Sequence, residues 1–573
     1  MKSNKFIFIT FLLIGFAVFF NGLNGDFVHD DLLVLSHSFF SQPSKVFNFF
    51  SQPYFENFYQ AGLYRPLTQI SFGFNFLLGS SPFGFHFVNV VFHIINSFLV
   101  FLFLKRLTDK KRFSLISGLL FLVLPIHVEA VTSIVGRAEL LSFFFGILTL
   151  ILWLDSKYFL SAVVLLFALL SKESAVAILP IAFLLNFRFG RSWSWLVHYS
   201  VATATYFILR FAVLGEYAFK TKVEFVFNPL AYVSFFERIF TALKILVLYL
   251  VKIFLPYNLS ADYSYDQIPI VGNLFSSPLS LLGLLILGLM LLTVYFIFQP
   301  NKNTLILQYI KVFTKDSKKL IFAWALIFFF LPYLVISNLF FPTGTIMAER
   351  LMYFPSLGAA AVLAVAVEQL FKQSKQLGFS VLLVLTVVYG FLTVSQNRIW
   401  ASREALLTDN FEKSPDSVVA KTEFGILMLE RDKELAKKLS LEVYEKYPDY
   451  IQNFNLRAAV EVQEGNFTEA EKFLERAFEL RPKHQTTLQN LSRVYFTLGK
   501  YTEAERTLQV LVSEYGGKGN VIFYALVQAK NRRFDQARET LYSFFGPEVE
   551  DESALKILRG ESKELDSSYI FGK

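Results

Sequence analysis

The sequence predicts an all-α protein in two parts: a polytopic bundle of transmembrane helices followed by a solenoid of helical hairpins. Three observations carry the prediction. Apolar runs recur through residues 1–395, with lengths near the roughly 20 residues that a helix needs to cross the hydrocarbon core. The composition steps near residue 396, mostly apolar before and mostly polar after. Beyond the step, short motifs return with a 34-residue shift, as expected of units that bury an apolar face only against their neighbours.

The chain has 573 residues, enough for more than one structural unit. It is 54% hydrophobic, contains 69 Phe and has a mean hydropathy of +0.47, more apolar than an ordinary soluble domain. The net charge of +8 does not point to nucleic acid, because the basic residues are not gathered on one soluble face. Many sit in short loops between apolar runs, such as Lys105, Arg106, Lys110, Lys111 and Arg112, which is what the positive-inside rule produces. No Cys is present, so disulfides and thiolate catalysis are excluded.

Candidate spans lie near 6–22, 84–104, 113–128, 138–154, 158–171, 174–188, 195–214, 275–298, 319–340, 355–371 and 378–395, eleven in all. The first follows MKSNK and is followed by Asn21-Gly22-Leu23-Asn24-Gly25 with no A-x-A site, so it reads as an uncleaved span. A twelfth run, 231–255, carries Glu237, Arg238, Lys244 and Lys252, which are costly at mid-bilayer. The basic stretches 105–112, 300–319 and 372–375 are read as cytoplasmic. The N-terminus is then inside, and 23–83, 129–137, 172–173 and 215–230 are outside. Parity makes 231–255 a surface-lying or re-entrant helix, and eleven spans put the C-terminus outside.

In the polar part, Pro415, Pro448 and Pro482 are 33 and 34 residues apart. Gly465-Asn466-Phe467-Thr468-Glu469-Ala470 matches Gly499-Lys500-Tyr501-Thr502-Glu503-Ala504, and Arg533-Phe534-Asp535-Gln536-Ala537 returns 33 later. This is the tetratricopeptide (TPR) signature, with about four hairpins over 417–545. The domains read as 1–396 for the membrane part, 397–546 for the repeats and 547–573 for an acidic, Ser-rich, loose tail.

Polar clusters on the expected outer side carry the chemistry. Asp30 and Asp31 are adjacent carboxylates whose repulsion raises the proton affinity of one, which suits a general base; taken alone, an Asp-Asp pair is more often a solvated turn or helix cap. Arg65 follows Tyr64. His86, Asn89, His93 and Asn96 fall on one helical face, a stripe that serves interhelical hydrogen bonding or a substrate about equally. His127-Val128-Glu129 could bind a metal, but a short outer loop that holds an Arg also suits an anionic headgroup. Arg137 and Glu139 follow closely. Lys172-Glu173, alone, is simple membrane-end charge. Asp262, Glu349, Arg350 and Tyr353 complete the set. Polar residues are expensive in such a bundle and mark functional sites by default.

These stretches are familiar together. FVHDD (27–31), YRPLTQISF (64–72), FGFHFVNVVFHIIN (83–96), LPIHVEAVTSIVGRAELLS (124–142), LLSKES (169–174), NPLA and ERIFTALK (228–244), LSADYSY (259–265) and AERLMYFPSLG (348–358) resemble, in order and spacing, the multi-span, TPR-bearing glycosyltransferases that include the TMTC-type protein O-mannosyltransferases and their bacterial relatives. The resemblance implies a GT-C fold and a polyprenyl-phosphate sugar as donor, with no certain cofactor and a divalent cation left open. It also implies an acidic residue of the first outer loop as base, with Asp30 favoured over Asp31. His29 stands where relatives often carry an aromatic.

On this resemblance, the base activates a protein Ser or Thr hydroxyl, or another hydroxyl, for inverting transfer. Arg65, Arg137, Lys172 and Arg350 hold the leaving phosphate. His86, Asn89, His93, His127, Glu129, Glu139, Glu173, Asp262, Glu349 and Tyr353 line the cavity. The TPR groove holds the protein or peptide acceptor, the membrane lipid is the other partner, and the setting is a bacterial inner membrane with the repeats on the periplasmic side. Rival readings are a transferase acting on a glycan, lipid or envelope polymer, a TPR scaffold with a membrane anchor, and a transporter. One span would suffice as an anchor, so eleven with buried charge argue against the scaffold, and no inverted repeat supports the transporter.

Overall fold

The structure, a computed structural model, describes residues 2–35, 38–41, 43–56, 59–79, 81–219, 223–298, 317–546 and 551–559. Among them every regular element is helical. The chain divides into two compact units, Met1–Ser417 and Val418–Lys573.

In the first unit, five helices among the described residues are long and apolar enough to cross a membrane: Asn4–Gly22, Pro82–Thr108, Ile134–Leu154, Trp195–Ala218 and Lys375–Ala401. A sixth is available if the pair Lys111–Val123 and Pro125–Thr132, bent by 54°, is one broken span. By length and composition these helices make the unit an integral membrane unit. The expected count of eleven is not supported, and the reason is length. Tyr158–Ser171 has 14 residues and Ile178–Phe189 has 12, which at about 1.5 Å per residue fall short of a roughly 30 Å hydrocarbon core. The side assignments that rested on counting eleven crossings lose that support. The basic 300–319 stretch lies almost wholly outside the described residues.

The doubtful run 231–255 is a single helix, Phe235–Phe254, started by a capping box in which Ser234 and Glu237 exchange bonds. Its charged residues reach away from the apolar face: Lys244 Nζ donates to the Pro269 carbonyl and Lys252 Nζ to that of Asn258. It is not among the helices that pass as spans.

Between the first two spans the chain folds back on itself. Helix Pro66–Leu78 starts with Pro at its first position. Val34, Phe40, Val46, Phe49, Tyr54, Ile70, Phe72, Phe85 and Ile134 form a small apolar core beneath this segment. Phe121, Phe143, His93, His127 and Tyr353 form an aromatic cluster at the centre of the unit, with Phe121 and Phe143 stacked at 5.1 Å. Two glycines permit close backbone approach. A Cβ at Gly136 would lie 2.2 Å from the Ala130 carbonyl oxygen, and one at Gly358 would lie 2.3 Å from that of Ala325.

The second unit is built of four helical hairpins: Val418–Met428 with Lys433–Lys446, Ile451–Gln463 with Phe467–Leu480, Gln485–Thr497 with Tyr501–Tyr515, and Lys518–Lys530 with Phe534–Phe545. Ala470, Ala504 and Ala537 are buried at the helix contacts, where only a small side chain fits. The tight turn inside three hairpins needs a left-handed residue. Gly465 (φ 79°) and Gly499 (φ 73°) supply it, and in the last hairpin Arg532 takes the same conformation (φ 60°). Glu471 pairs with Lys500, and one repeat later Glu505 pairs with Arg533, so an ion pair also repeats. Within the tail expected to be loose, Glu552–Arg559 is a helix whose Ala554 and Ile557 join the apolar core.

Candidate active site

Asp30 and Asp31 open the short helix Asp30–Leu35. His29 precedes them at φ 53°, in the left-handed region that His tolerates better than most residues. Asp31 is fully buried; its Oδ1 accepts from the Val135 N–H at 2.9 Å and its Oδ2 from the Val28 N–H at 3.2 Å. It therefore ties the first loop to the turn before Arg137. Burial raises its pKa from 3.8 to about 7, against the two backbone N–H groups, and the Asp30 charge adds a smaller rise. The carboxylate with raised proton affinity is thus Asp31, and burial rather than mutual repulsion is the main cause. Asp30 is only partly buried, and its charge acts on both Arg350 and Tyr54.

Three ion pairs surround this point. Arg65 grips Glu173 with two parallel bonds, Nε to Oε2 at 3.0 Å and Nη2 to Oε1 at 2.6 Å. Burial lowers the Arg65 pKa, but the Glu173 carboxylate beside it overrides this and raises it; burial raises that of Glu173, but Arg65 and Lys172 hold it well below the usual carboxylate range. Lys172 Nζ donates to Glu139, and both side chains are buried. Burial lowers the Lys172 pKa, against the attraction of Glu139. Arg350 donates to Glu129 through Nη1 and through its own backbone N–H, the latter at 2.8 Å. Lys172 and Glu173, adjacent in sequence, thus belong to different pairs.

Arg137 is placed otherwise. It is fully buried, with Nε on Asn89 Oδ1 at 2.7 Å, Nη2 on the Phe85 carbonyl at 2.8 Å, and Nη1 on Asn75 and the Ser71 carbonyl. Its guanidinium packs against the rings of Phe72 and Phe85. Four bonds to neutral oxygens make it a tie between helices Pro66–Leu78, Pro82–Thr108 and Arg137–Leu154, not a phosphate ligand. Lys172, enclosed with Glu139, is likewise no open cation.

The polar stripe is wholly buried and serves interhelical bonding. His86 Nε2 meets the Gly25 carbonyl at 3.1 Å, and Asn89 donates to the Val131 and Ser133 carbonyls. His93 bonds the Tyr353 hydroxyl at 2.8 Å and the Leu122 carbonyl at 3.0 Å, and Asn96 donates to that same hydroxyl at 3.1 Å. His127 and Glu129 are split, His127 to Ser356 Oγ at 2.6 Å and Glu129 to Arg350. Among the described residues no group of three metal-ligating side chains is gathered.

Glu349 and Asp262 anchor one loop. Glu349 accepts from the Ser260 N–H at 2.8 Å and the Tyr263 hydroxyl at 2.5 Å, and burial raises its pKa from 4.5 to about 8. Asp262 accepts from Ser264 Oγ at 2.5 Å and from the Ser417 hydroxyl. The structure therefore brings Asp30, Arg65, Glu173, Arg350 and Glu129 to one locality. It places Arg137, Lys172, the stripe and Asp262 in its supporting frame.

Sequence reasoning missed Tyr54. It is buried beneath the Arg65 guanidinium, 5.1 Å from its ring centroid. No motif surrounds Tyr54 in the chain, and only the fold brings it to the acids.

Residues 461–520 match the tetratricopeptide repeat family. Across the longer length the chain is similar to a protein O-mannosyl-transferase of Caenorhabditis elegans, 30% identical over 63% of this chain and 52% of the relative. It is also similar to protein O-mannosyl-transferase TMTC3 of Mus musculus, 26% identical over 76% and 50%, and to TMTC1 of Homo sapiens, 25% identical over 75% and 54%. The chain spans about half the length of these curated relatives. It is a TPR-bearing relative of the proteins named protein O-mannosyl-transferase, as the motifs from FVHDD to AERLMYFPSLG imply.

Proposed function

We propose that the chain is a membrane glycosyltransferase that moves a sugar from a polyprenyl-phosphate-linked donor to a hydroxyl acceptor, protein Ser or Thr, on the extracytoplasmic side of a bacterial inner membrane. The names of its relatives support sugar transfer to protein and favour mannose. The observation that carries the reading is the Arg350–Glu129 pair, with the partly exposed Asp30 carboxylate near enough for its charge to act on Arg350. A base and a cation then stand together, as in-line displacement with inversion requires: Asp30 takes the hydroxyl proton and Arg350 meets the charge developing on the departing phosphate. Among the described residues the side-chain bonds of Arg350 run through Nη1, and those of Arg65 through Nε and Nη2. The remaining N–H groups are suited to phosphate oxygens.

Asp31 is assigned a positioning role, because both its oxygens are held by backbone N–H groups. The test is transfer from a radiolabelled polyprenyl-phosphate sugar by purified Asp30→Asn and Asp31→Asn. Loss of a positioned base costs on the order of 10²- to 10⁴-fold, expected for Asp30→Asn. Wild-type rates in both folded variants would overturn the mechanism. The repeats supply an extended concave surface suited to a protein acceptor. Deleting 418–545 is expected to weaken transfer to protein more than to a small hydroxyl compound, and an equal loss would assign the repeats to stability alone.

A further inference from the structure

Tyr54 carries a buried polar atom that nothing among the described residues satisfies. The residue is 2% exposed, and its hydroxyl has no hydrogen-bond partner. Buried hydroxyls are nearly always bonded, so such an atom calls for a missing partner. Its position is fixed by everything but that hydroxyl. The Tyr54 N–H donates to the Leu63 carbonyl at 2.9 Å, and its own carbonyl accepts from the buried Gln69 amide at 3.1 Å. The ring packs edge-on against Phe55 at 5.2 Å and lies under the Arg65 guanidinium. A side chain held this firmly cannot swing away to find water.

The hydroxyl lies within reach of four charges. They belong to Arg65, Asp30, Asp31 and Glu173. Arg65 keeps its Nη1 side clear of Glu173, which occupies Nε and Nη2. The hydroxyl and that guanidinium edge are therefore both donors without partners among the described residues, and the charge of the carboxylate proposed as base reaches the hydroxyl. A neutral O–H and a cationic N–H in one locality suit an anion's oxygens better than a carbonyl or a cation.

We propose that the Tyr54 hydroxyl is a substrate-contacting donor that completes, with Arg65, the binding site for the phosphate of the lipid-linked donor. This rests on the reading of the chain as a lipid-phosphate-dependent transferase. Tyr54 binds and orients the phosphate; it moves no proton. A hydrogen bond to a charged group contributes roughly 1.5–3 kcal/mol, which corresponds to about a 10- to 150-fold change in binding.

The test uses the purified full-length chain and its Tyr54→Phe variant, which removes one oxygen and keeps the ring beneath Arg65. Binding of polyprenyl phosphate is measured alongside sugar transfer, with the thermal midpoint as a check on folding. The expected result is a phosphate affinity weakened tenfold or more, a higher KM for donor, an unchanged KM for acceptor and an unchanged midpoint. Equal affinities in the two proteins would overturn the Tyr54 assignment while transfer by both would leave the enzyme reading standing; a bound water then satisfies the hydroxyl. Weakened binding without transfer by the wild type would keep the Tyr54 contact and sink the enzyme reading. Failure of the wild type to bind polyprenyl phosphate would overturn both. If Tyr54→Phe lowers the midpoint, Tyr54→Trp and Arg65→Lys serve as second variants, and unchanged phosphate affinity in both overturns the assignment.

Discussion

Arg350 holds both oxygens of Glu129, one through Nη1 and the other through its own backbone N–H at 2.8 Å. The two partners are unequally buried: the Glu129 side chain is 2% exposed and that of Arg350 is 26% exposed. Glu129 is locked, and Arg350 keeps part of its side chain exposed. This asymmetry orders the consequences of breaking the pair. Arg350→Met leaves a buried carboxylate with one backbone N–H, and removing one partner of such a pair costs about 3–5 kcal/mol. Glu129→Gln keeps an oxygen for that N–H and leaves a cation that reaches solvent. Thermal unfolding in detergent is expected to show the larger loss for Arg350→Met; the reverse order would refute the assignment of Glu129 as the locked partner.

Lys172 and Glu139 are enclosed on both sides, with side chains 8% and 7% exposed. A buried pair of this kind stabilises little as a whole, but either member alone is an uncompensated charge. Lys172→Met and Glu139→Leu are each expected to lower the midpoint more than the double variant does. A double variant as unstable as the sum of the singles would show that the two do not interact.

Asp31 makes stability depend on pH in a stated direction. Its pKa is raised from 3.8 to about 7 in the folded chain, so the folded state binds the proton more tightly than the unfolded state. The stability this confers is fully present below about pH 4 and is lost progressively as pH rises toward 7. Asp31→Asn removes the titrating group. The difference in midpoint between wild type and variant should therefore change between pH 4 and pH 7 and flatten above about 8. A constant difference across that range would contradict the assignment.

Arg532 occupies a left-handed position that Gly465 and Gly499 occupy in the two preceding hairpins. A side chain there costs free energy that glycine avoids. Arg532→Gly is expected to stabilise the last hairpin by roughly 0.5–1 kcal/mol, and Gly499→Ala to destabilise the one before it. Amide exchange in helices Lys518–Lys530 and Phe534–Phe545 of the full-length chain reads the first change, and faster exchange there would refute it.

Much of this protein is legible in its sequence because the governing signals are local. The 34-residue return of Gly465-Asn466-Phe467 at Gly499-Lys500-Tyr501 needs no third dimension. Nor does the 3.6-residue periodicity that puts His86, Asn89, His93 and Asn96 on one face. The resemblance to the mannosyl-transferase relatives was carried by short motifs in order. The number of spans is less legible, because helices such as Tyr158–Ser171 are apolar enough but too short.

The site itself divides along the same line. The sequence alone determined which residue types are present, that Asp30 and Asp31 are adjacent, and which helical faces are polar. Only the tertiary structure decided who pairs with whom: Arg65 with Glu173, Glu139 with Lys172, Glu129 with Arg350. These partners lie 108, 33 and 221 residues apart in the chain. It also decided that Arg137 is a buried tie and that Tyr54 lies under the Arg65 guanidinium. The physical reason is that periodicity and capping act over a few residues, whereas burial and ion pairing depend on which distant segments the packing brings together, and no local pattern encodes that.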